Sequence, residues 1–400
     1  MDNMNIGLIK EGKIPADKRV PFSPEQCAYI MKLYPAISLY AQPSENRCFL
    51  DSEYEKNGVV LIDDLSVCDI IMGVKEVPVN MLLDKKIFFF FSHTIKKQPY
   101  NKFLLQSILE KKIQLIDYET LVGEDKKRII GFGRYAGIVG CYNSFLAYSN
   151  KTDAYKLPPP HLVRDKKELY NELKNIVLPQ DFKIILTGTG RVANGAIEVL
   201  DEIGMKKVNK IDFLNQVFNE PVYVQLDCLD YYERIDNSIG SKKHFYNHPN
   251  QYQSILLKYA KIANMLITGH YFAPENPVIL SKSDIKHNEF NIEVIADISC
   301  DINGPIGSTI RPSTISEPVY GYHPSKGIED DYKKDGVVAV MAVDNLPCAL
   351  PRDASIHFGD VFIRRILPDL VQMGSLINRA SITYDGKLTK RFNYLSDYVS

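Results

Sequence analysis

Ionisable side chains follow several short apolar segments in the first 120 residues, where strands are expected to end. Lys75 comes after the segment that starts at Asp69, and His93 comes after the apolar run 87–91. A lysine with a lowered pKa and a histidine that titrates near neutral pH can exchange protons with a reacting nitrogen or oxygen. Because ligands bind at the carboxyl ends of strands in open α/β sheets, the pattern predicts an acid–base site.

Other charged residues lie in the same expected strand-end loops. The planar guanidinium of Arg19 can hold a substrate carboxylate through two parallel hydrogen bonds. Asp17 or Glu119 could accept the cationic amino group of an amino acid, and Arg134 is a further candidate for substrate contact. Burial and neighbouring cations would lower the pKa of Lys75, whereas Glu119 would raise it, so the sequence leaves this balance open.

A glycine-rich turn in the middle of the chain indicates a second kind of site. The apolar segment 182–186 leads into Thr187-Gly188-Thr189-Gly190, and a helical pattern follows at once, with Ala193 at the third small position. In the G-x-G-x-x-G/A pattern, backbone N–H groups and a helix N-terminus hold a pyrophosphate. We therefore predict dinucleotide binding at Gly188, Thr189, Gly190, Arg191 and Val192.

The choice between NAD and NADP depends on the strand predicted next. That strand spans residues 207–211 and ends at Asp212, 22 positions after Gly190. An acid that bonds the adenosine ribose is expected at about this distance, and it favours NAD. The nearby Lys206, Lys207 and Lys210 could instead hold the 2′-phosphate of NADP, so the cofactor stays open. Later strand ends predict further cofactor contacts at Thr268, Tyr271, Asp297 and Ser299.

Strands and helices alternate around these residues. Strands are predicted over 5–9, 37–40, 69–74, 87–91 and 113–116, and Ser23-Pro24-Glu25-Gln26 predicts a capping box at a helix start. Residues 87–91 are all apolar, as in a strand buried on both faces. Beyond residue 136 we predict a helix rich in small residues. Strands 223–226, 265–268, 293–297 and 337–343 and helices 251–262 and 353–373 are expected to follow.

This order predicts an α/β protein with two doubly wound, Rossmann-like domains and an active-site cleft between them. The first domain is expected to be discontinuous, to comprise residues 1–135 plus 325–400 and to carry the substrate site. Residues 136–324 are expected to form the dinucleotide-binding domain.

Composition and charge argue against several other classes of protein. The 400 residues carry a formal net charge of −1, which gives no electrostatic reason to expect a nucleic-acid partner. No run approaches the ~18 apolar residues of a membrane helix, and the polar first residues predict no signal peptide. The seven cysteines are scattered without C-x-x-C spacing, which is typical of reduced thiols in a cytoplasmic protein without a metal site.

Several segments resemble one enzyme superfamily. The opening segments Gly7-Leu8-Ile9-Lys10-Glu11 and 18–24 resemble the alanine dehydrogenase and saccharopine dehydrogenase superfamily. Segments 73–78, 90–96 and 115–119 are similar to the lysine–ketoglutarate reductase domain of the bifunctional lysine-degrading enzyme. They are more distantly similar to the lysine-forming saccharopine dehydrogenases of fungi. Segments 186–190, 297–301, 304–306 and 344–347 match the same domain in order.

The resemblance implies a reaction and roles for particular residues. The reaction is the condensation of L-lysine and 2-oxoglutarate with NAD(P)H to give saccharopine, or its reverse. A catalytic lysine–histidine pair of the family corresponds to Lys75 and His93, and cofactor contacts are implied at Asp344 and Leu346. The half of the bifunctional enzyme that splits saccharopine is not among these 400 residues.

Two alternatives remain open. An alanine dehydrogenase would use much the same Arg19, Lys75 and His93 on pyruvate and ammonia, although segment 91–96 is closer to the reductase. A non-catalytic cofactor-sensing protein would need neither Lys75 nor His93. Small-molecule substrates are therefore expected, without a nucleic-acid or membrane partner, and the sequence does not show whether the chain forms a homo-oligomer.

Overall fold

The computed structural model describes residues 3–14 and 17–400. Its strands, in chain order, are β1 Met4–Leu8, β2 Ile37–Ala41, β3 Val60–Leu61, β4 Ile70–Met72, β5 Ile87–Phe90, β6 Gln114–Asp117, β7 Lys183–Thr187, β8 Lys206–Val208, β9 Val222–Leu226, β10 Tyr232–Arg234, β11 Tyr252–Ser254, β12 Met265–Thr268, β13 Val294–Ala296, β14 Val319–His323, β15 Ile328–Asp330, β16 Val338–Met341, β17 Thr383–Tyr384 and β18 Lys387–Leu388.

The α-helices of the described residues vary from a single turn to more than five turns. In chain order they are α1 Pro24–Leu33, α2 Asp51–Lys56, α3 Lys102–Glu110, α4 Gly133–Thr152, α5 Lys166–Glu172, α6 Arg191–Glu202, α7 Lys210–Asn215, α8 Cys228–Tyr231, α9 Lys242–Asn247, α10 Leu257–Ala260, α11 Lys282–Ile285, α12 Pro351–Arg365, α13 Leu367–Leu370, α14 Ser375–Ala380 and α15 Ser396–Val399.

The chain divides into two compact units, and each has its own sheet. Unit 1 comprises Met1–Phe132 and Pro351–Ser400, and unit 2 comprises Gly133–Leu350. The chain thus leaves unit 1 and returns to it at Pro351. The boundary differs from the predicted residue 325 because β16 pairs with β13 inside the sheet of unit 2.

The sheet of unit 1 is six-stranded and parallel, with the order β3-β2-β1-β4-β5-β6. The chain order reverses between β1 and β4, which makes the sheet doubly wound and places ligand-binding loops at the carboxyl ends of the strands. The three phenylalanines of β5 are completely buried, which confirms that this strand is covered on both faces. The expected α/β class with two domains is confirmed.

Helix α1 begins as the sequence predicts. The Ser23 hydroxyl accepts a hydrogen bond from the Gln26 backbone N–H, and the Gln26 side chain accepts one from Ser23 N, which completes a capping box. The Gln26 amide also donates to Ile356 O and to Asp360 on α12. These bonds attach the returning segment of unit 1 to its first helix.

The sheet of unit 2 is eight-stranded, with the order β15-β14-β16-β13-β12-β7-β9-β8. Strands β14 and β15 are antiparallel to their neighbours, and the pairings from β16 to β8 are parallel. Strand β7 leads into the glycine turn, and β9 and β12 lie on either side of it. Strand β8 follows β7 in the chain but lies at the edge of the sheet, so the strand beside β7 is β9.

Close packing of α4 against α6 explains the small residues of α4. A Cβ atom on Gly137 would lie 1.9 Å from the Val192 carbonyl oxygen, and one on Gly195 would lie 2.0 Å from the Arg134 carbonyl oxygen. Only glycine at both positions permits this approach of the two backbones. The contact fixes α6, whose N-terminus follows the glycine turn.

Two predicted helices differ from the structure. Residues 251–262 contain β11, which pairs antiparallel with β10, and only the short α10. The helix expected over 353–373 is divided: α12 ends at Arg365, and the separate α13 begins at Leu367 with Pro368 in its first turn. Proline lacks the N–H that a continuing helix would need, so the division is expected at this residue.

The structure shows free thiols at all seven cysteines. Among residues 3–14 and 17–400, no helix combines the length and hydropathy that crossing a membrane requires. The same residues bring together no group of three or more His, Cys, Asp or Glu side chains that could hold a metal ion.

Candidate functional site

A chain of three ionisable side chains lies at the carboxyl ends of the strands of unit 1. Glu76 follows β4 and His93 follows β5, the neighbouring strand. Glu76 Oε1 lies 2.7 Å from His93 Nδ1, and Glu76 Oε2 accepts a hydrogen bond from Lys13 Nζ at 2.8 Å. The loops after three strands, β1, β4 and β5, thus meet at Glu76.

The Glu76 carboxylate stays ionised and fixes the tautomer of His93. Burial raises the pKa of Glu76, but the hydrogen bonds from His93 and Lys13 outweigh burial and lower this pKa to about 2. An ionised carboxylate only accepts hydrogen bonds, so Nδ1 of His93 carries the hydrogen. Nε2 is therefore the nitrogen with which a neutral His93 ring can accept a proton.

Asp117 holds the backbone of the His93 loop. Its Oδ2 accepts hydrogen bonds from Ser92 N at 2.8 Å, from Ser92 Oγ at 2.6 Å and from His93 N at 3.1 Å. Its Oδ1 accepts from Glu119 N at 2.7 Å. His93 has a left-handed φ of 53°, and these bonds stabilise that uncommon conformation. Asp117 is completely buried, so its role is to position the residues around it.

Lys75 has a lowered pKa, and its amine has no partner among residues 3–14 and 17–400. Its backbone is held by Glu11, whose carboxylate accepts hydrogen bonds from Val74 N at 2.6 Å and from Lys75 N at 2.9 Å. Within the described residues, Lys75 Nζ makes no hydrogen bond or ion pair. Burial, then the positive charge of Arg19, lowers the pKa of Lys75 and outweighs nearby carboxylates. The carboxylates that oppose this lowering are Asp17 and Glu76, rather than the Glu119 that the sequence suggested.

Glu11 was missed as a site residue by the sequence reasoning. Burial raises its pKa to about 8, although the two backbone N–H donors act in the opposite direction. The segment 7–11 carried the resemblance, but nothing in its residue types showed that Glu11 reaches the loop after β4. This contact joins distant parts of the chain.

Asp17 and Arg19 are partners of each other. Arg19 Nε donates to Asp17 Oδ1 at 2.9 Å, and an Arg19 terminal nitrogen donates to Asp17 Oδ2 at 2.6 Å. The pair is buried, with residue exposures of 2% and 3%, and the guanidinium lies 4.1 Å from the centre of the Phe132 ring. From the sequence, Arg19 was expected to bind a substrate carboxylate and Asp17 a substrate amino group. In the structure the two side chains instead form a bidentate ion pair with each other.

Glu119 lies beside two cations of unit 1. Its Oε1 accepts a hydrogen bond from Arg128 at 2.6 Å, and Lys96 Nζ lies 3.5 Å away. Its Oε2 is buried and has no hydrogen-bond partner in the described residues. The side chains of Lys96 and Arg128 are partly exposed, so both can meet a ligand. The sequence reasoning did not single out either cation.

The glycine turn of unit 2 has the geometry that a phosphate site requires. Gly188 has a φ of +89°, and a Cβ there would lie 2.4 Å from the Gly269 carbonyl oxygen. Gly190 is the N-cap of α6, and no atom lies within 4 Å of its hypothetical Cβ. Thr189, Gly190 and Arg191 are exposed, and Val192 is half-buried. The turn leaves room for a pyrophosphate at the N-terminus of α6, so it fits a dinucleotide.

Asp212 does not end a strand in the structure. Strand β8 stops at Val208, and Asp212 lies on α7, where its carboxylate accepts hydrogen bonds from Asn209 Nδ2 and Gln216 Nε2. Because β8 lies at the sheet edge, the end of this strand is separated from the glycine turn by β9. Its position therefore differs from the ribose-binding position that the spacing predicted.

Asp227 occupies the position expected of a ribose-binding acid. It directly follows β9, the neighbour of β7, and the Gln225 amide on the same strand donates to the Gly188 carbonyl oxygen at 3.0 Å. The Asp227 carboxylate accepts a hydrogen bond from Cys228 N at 2.7 Å and forms an ion pair with Lys242. Burial raises the pKa of Asp227, but the hydrogen bonds from Lys242 and Cys228 outweigh burial. The pKa therefore lies below the ordinary value of an aspartate.

Three other predicted cofactor residues belong to one buried cluster. Asp297 Oδ1 accepts hydrogen bonds from the hydroxyls of Thr268 at 3.0 Å and Ser299 at 2.6 Å. Its Oδ2 accepts from Thr309 Oγ1 at 2.6 Å. Asp297 and Thr268 are buried, so they join the loops after β12 and β13. Thr309 was not expected at this cluster.

The remaining predicted residues have different surroundings. Tyr271 is 80% exposed, and Asp344 is exposed after β16. Leu346 is buried, and its side chain packs close to Gly140. Arg134 donates two hydrogen bonds to Glu198 on α6, at 2.5 and 2.7 Å. This pair attaches α4 to α6, which gives Arg134 a structural role that the sequence did not indicate.

Comparison with known proteins finds a family match in the first third of the chain. Residues 7–139 match the family described as alanine dehydrogenase/PNT, N-terminal domain. The matched segment makes up about a third of the chain. The match contains Lys75, Glu76 and His93, so the candidate acid–base residues lie in the matched segment.

Relatives of the whole chain confirm the resemblance that the motifs gave. The alpha-aminoadipic semialdehyde synthase of Arabidopsis thaliana is 30% identical over 444 residues, which cover 99% of this chain and 41% of that protein. The mitochondrial enzyme of the same name from Rattus norvegicus is 28% identical over 98% of this chain and 47% of its own length. This chain therefore spans less than half the length of each. The L-lysine-forming saccharopine dehydrogenase of Neurospora crassa is 22% identical over 93% of both chains.

Solved structures show the same fold. An L-alanine dehydrogenase matches with a TM-score of 0.61 and 13% identity over 99% of this chain and 100% of its own. A transhydrogenase from Sinorhizobium meliloti matches with a TM-score of 0.59 and 14% identity, over 96% and 98% of the two chains. At these identities the likeness concerns the fold, which both solved structures share with this chain over nearly its whole length.

Proposed function

We propose that this protein is an NAD(P)-dependent oxidoreductase that interconverts saccharopine and NAD(P)+ with L-lysine, 2-oxoglutarate and NAD(P)H. The observation that carries the proposal is the amine of Lys75, which has a lowered pKa and no partner in the described residues, next in sequence to the Glu76–His93 pair. The names of the plant and fungal relatives support the substrate class.

The reaction needs two kinds of proton transfer. The lysine amine attacks the ketone carbon of 2-oxoglutarate, and the nitrogen then loses a proton to form a neutral carbinolamine. The carbinolamine oxygen must gain a proton so that it leaves as water and an imine remains. The bound dinucleotide supplies the hydride that reduces this imine to saccharopine.

Lys75 and His93 suit these two transfers. A neutral amine at Lys75 accepts the proton that the attacking nitrogen loses, and its lowered pKa keeps more of the amine neutral. Protonated His93 donates a proton to the leaving oxygen through Nε2, because Glu76 engages Nδ1. Glu76 also stabilises the positive charge of the protonated ring. These roles follow from proton affinity and hydrogen bonding, and they stay proposals.

Charged residues of unit 1 provide for the substrate carboxylates and amino group. Lys96 and Arg128 carry positive charges on partly exposed side chains and are proposed to attract carboxylates. Glu119 Oε2 is a buried acceptor without a partner in the described residues, so a substrate ammonium group can donate to it. Arg19 is held by Asp17. We assign Arg19 an electrostatic role that includes lowering the pKa of Lys75, an effect that the charge of Asp17 opposes.

The dinucleotide is proposed to bind to unit 2. Its pyrophosphate would lie at Gly188, Thr189, Gly190, Arg191 and Val192, and its adenosine ribose would bond Asp227 in place of Asp212. Tyr271, Ser299 and Asp344 stay proposed contacts, whereas Thr268, Asp297 and Leu346 would act by positioning the loops. A cytoplasmic location stays a prediction, and the rat relative's name gives a mitochondrial one.

The fold favours one second candidate. Likeness to an L-alanine dehydrogenase structure supports an amino-acid dehydrogenase that uses ammonia and pyruvate. The same acid–base groups would serve that reaction, since it also forms and reduces an imine. The identity of the amine therefore separates the two candidates.

Absorbance at 340 nm tests the proposal directly. NADH or NADPH is mixed with the protein and 2-oxoglutarate, together with L-lysine, ammonia or no amine, and pyruvate replaces 2-oxoglutarate in parallel reactions. Oxidation that requires both L-lysine and 2-oxoglutarate, with saccharopine identified by mass spectrometry, supports the proposal. Oxidation with ammonia and pyruvate instead identifies the second candidate. Binding of a dinucleotide without oxidation of any pair contradicts both.

A further inference from the structure

A cluster of acids and lysines surrounds the carboxyl end of β9. Asp227 pairs with Lys242 of α9, and Asp230 of α8 pairs with Lys210 of α7. The side chains of both lysines are 53% exposed, whereas those of Asp227 and Asp230 are 29% and 19% exposed. The acids thus lie against the protein, and the more exposed amines cover them.

Gln225 links Lys207 of the edge strand β8 to the glycine turn. Its Nζ donates to Gln225 Oε1 at 2.7 Å, and Gln225 Nε2 donates to the Gly188 carbonyl oxygen at 3.0 Å. The charged groups therefore lie beside the strand that neighbours the phosphate-binding turn, on the side from which the adenosine ribose of a dinucleotide would approach.

A cavity next to the cluster has room for a flat ring of the size of adenine. It has a volume of about 550 Å³ and is lined by Tyr246 and Tyr271 among other residues. Tyr246 lies four residues after Lys242 on α9, so the two share a helix face. The Tyr246 hydroxyl contacts the Cys228 thiol next to Asp227. Aromatic side chains stack on flat rings, so this cavity would place the ribose of a bound dinucleotide near Asp227.

Asp227 interacts differently with the 2′-hydroxyl of NADH and with the 2′-phosphate of NADPH. A 2′-hydroxyl can donate a hydrogen bond to the carboxylate while Lys242 stays in place. A 2′-phosphate carries negative charge, so Asp227 repels it, and it can gain Lys242 only by separating the ion pair. The ion pair thus disfavours a 2′-phosphate in two ways. The Asp227 carboxylate repels the phosphate, and it also engages the Lys242 amine that could otherwise bind it.

We infer that the Asp227–Lys242 ion pair makes this protein prefer NADH to NADPH, and that Lys242 is the amine that binds a 2′-phosphate once the charge of Asp227 is removed. The inference rests on the proposed dinucleotide site of unit 2 and adds its specificity. Asp227 and Lys242 are specificity-determining residues, and neither takes part in the proton transfers assigned to Lys75 and His93.

Equilibrium binding tests the inference without substrates. Dissociation constants of NADH and NADPH are measured by nicotinamide fluorescence for the full chain and for Asp227→Asn, Lys242→Ala and the double variant. The wild type is expected to bind NADH at least about tenfold more tightly than NADPH, and Asp227→Asn is expected to change this ratio toward NADPH by about tenfold. Lys242→Ala in the Asp227→Asn background is expected to remove most of that gain.

Matched controls come from another ion pair of unit 2. Lys261 and Glu289 lie 2.6 Å apart, and Glu289→Gln and Lys261→Ala remove the same kinds of charge. Neither control is expected to alter the NADH-to-NADPH ratio. Thermal unfolding of each variant shows that it is folded. If Asp227→Asn does not fold, Lys242→Ala alone decides, because it is expected to weaken NADPH and leave NADH nearly unchanged.

The outcomes separate this inference from the proposed function. Equal binding of the two dinucleotides by the wild type, or an Asp227→Asn gain that does not depend on Lys242, overturns the inference and leaves the proposed oxidoreductase standing. A wild type that binds neither dinucleotide overturns both. A preference for NADH that Asp227→Asn reduces through Lys242 supports the inference, even if the enzyme assay finds a different amine substrate.

Discussion

Glu76 and His93 form a hydrogen-bonded pair in which Glu76 Oε1 lies 2.7 Å from His93 Nδ1. The two residues follow adjacent parallel strands, and Asp117 fixes the His93 backbone from the next strand along the sheet. Because Lys13 also donates to Glu76, the carboxylate is held from two sides. The ring of His93 therefore has a defined tautomer and orientation before any substrate binds.

Replacement of His93 tests whether this ring transfers protons. His93→Gln is expected to lower kcat by ~10²-fold or more, which is typical of the loss of a general acid–base group. Dinucleotide binding and the thermal midpoint are expected to stay close to wild type. The measurements are steady-state kinetics, fluorescence binding and thermal unfolding.

A second histidine provides the control. His287→Gln changes a partly exposed histidine of unit 2 and is expected to leave kcat unchanged. A His93→Gln variant that loses its structure together with its activity would instead show that His93 supports the fold.

Replacement of Lys75 is expected to reduce activity and increase stability together. Lys75→Met removes the proposed base, so kcat is expected to fall by ~10²–10⁴-fold. The pKa of Lys75 is lowered because the folded protein disfavours its charged form, so at neutral pH this residue costs stability. Lys75→Met is therefore expected to raise the thermal midpoint. Lys10→Met, at an exposed lysine, is the control, and unchanged turnover in Lys75→Met would remove Lys75 from the mechanism.

The pH dependence of the wild type follows from the same group. Protonated Lys75 cannot accept a proton, so the rising limb of the pH–rate profile for saccharopine formation is expected to follow the pKa of Lys75. Because burial and Arg19 lower this pKa, the rise lies below the ordinary range of a lysine. The unfolded chain binds the proton more tightly between the two pKa values, so stability also rises with pH across that window. A pH–rate profile without this rise would contradict the assigned base.

The local features of this protein could be predicted from its sequence. The capping box at Ser23, the buried strand β5 and the strand–turn–helix at Gly188 each depend on residues that are close in the chain. Local hydrogen bonding and apolar periodicity determine such elements. The candidate residues Lys75 and His93 were found in the same way, since strand ends mark the binding edge of a doubly wound sheet.

The features that were missed depend on contacts between distant residues. Asp227, and not Asp212, follows the strand next to β7, because β9 lies beside β7 although β8 comes first in the chain. Spacing along the chain cannot show that order. The partners of Arg19 and Arg134 were missed for a related reason, since an arginine that can hold a substrate carboxylate holds a protein carboxylate equally well.

The buried Asp17–Arg19 pair predicts a large effect on stability. Asp17→Asn keeps the size of the side chain but leaves the guanidinium without its carboxylate, which is expected to cost ~3–5 kcal/mol of unfolding free energy. Asp84→Asn is the control, because Asp84 pairs with Lys111 at the surface and its loss is expected to cost less than ~1 kcal/mol. Denaturant unfolding measures the loss of unfolding free energy in Asp17→Asn and in Asp84→Asn. Equal losses in the two variants would show that burial does not strengthen the Asp17–Arg19 pair.

Substitution of the two glycines of the turn is expected to have different effects: at Gly188 on stability, and at Gly190 on dinucleotide binding. Gly188→Ala places a Cβ 2.4 Å from the Gly269 carbonyl oxygen at a φ of +89°, so it is expected to destabilise unit 2 by more than the ~1–2 kcal/mol of a left-handed residue. Gly190→Ala meets no atom within 4 Å, so its thermal midpoint is expected to match wild type. The added methyl group would nevertheless occupy the space that the pyrophosphate needs, and NADH binding is expected to weaken by about tenfold or more. Unfolding and fluorescence binding measured on both variants separate the two roles, since a Gly190→Ala variant that binds NADH normally would place the phosphates elsewhere.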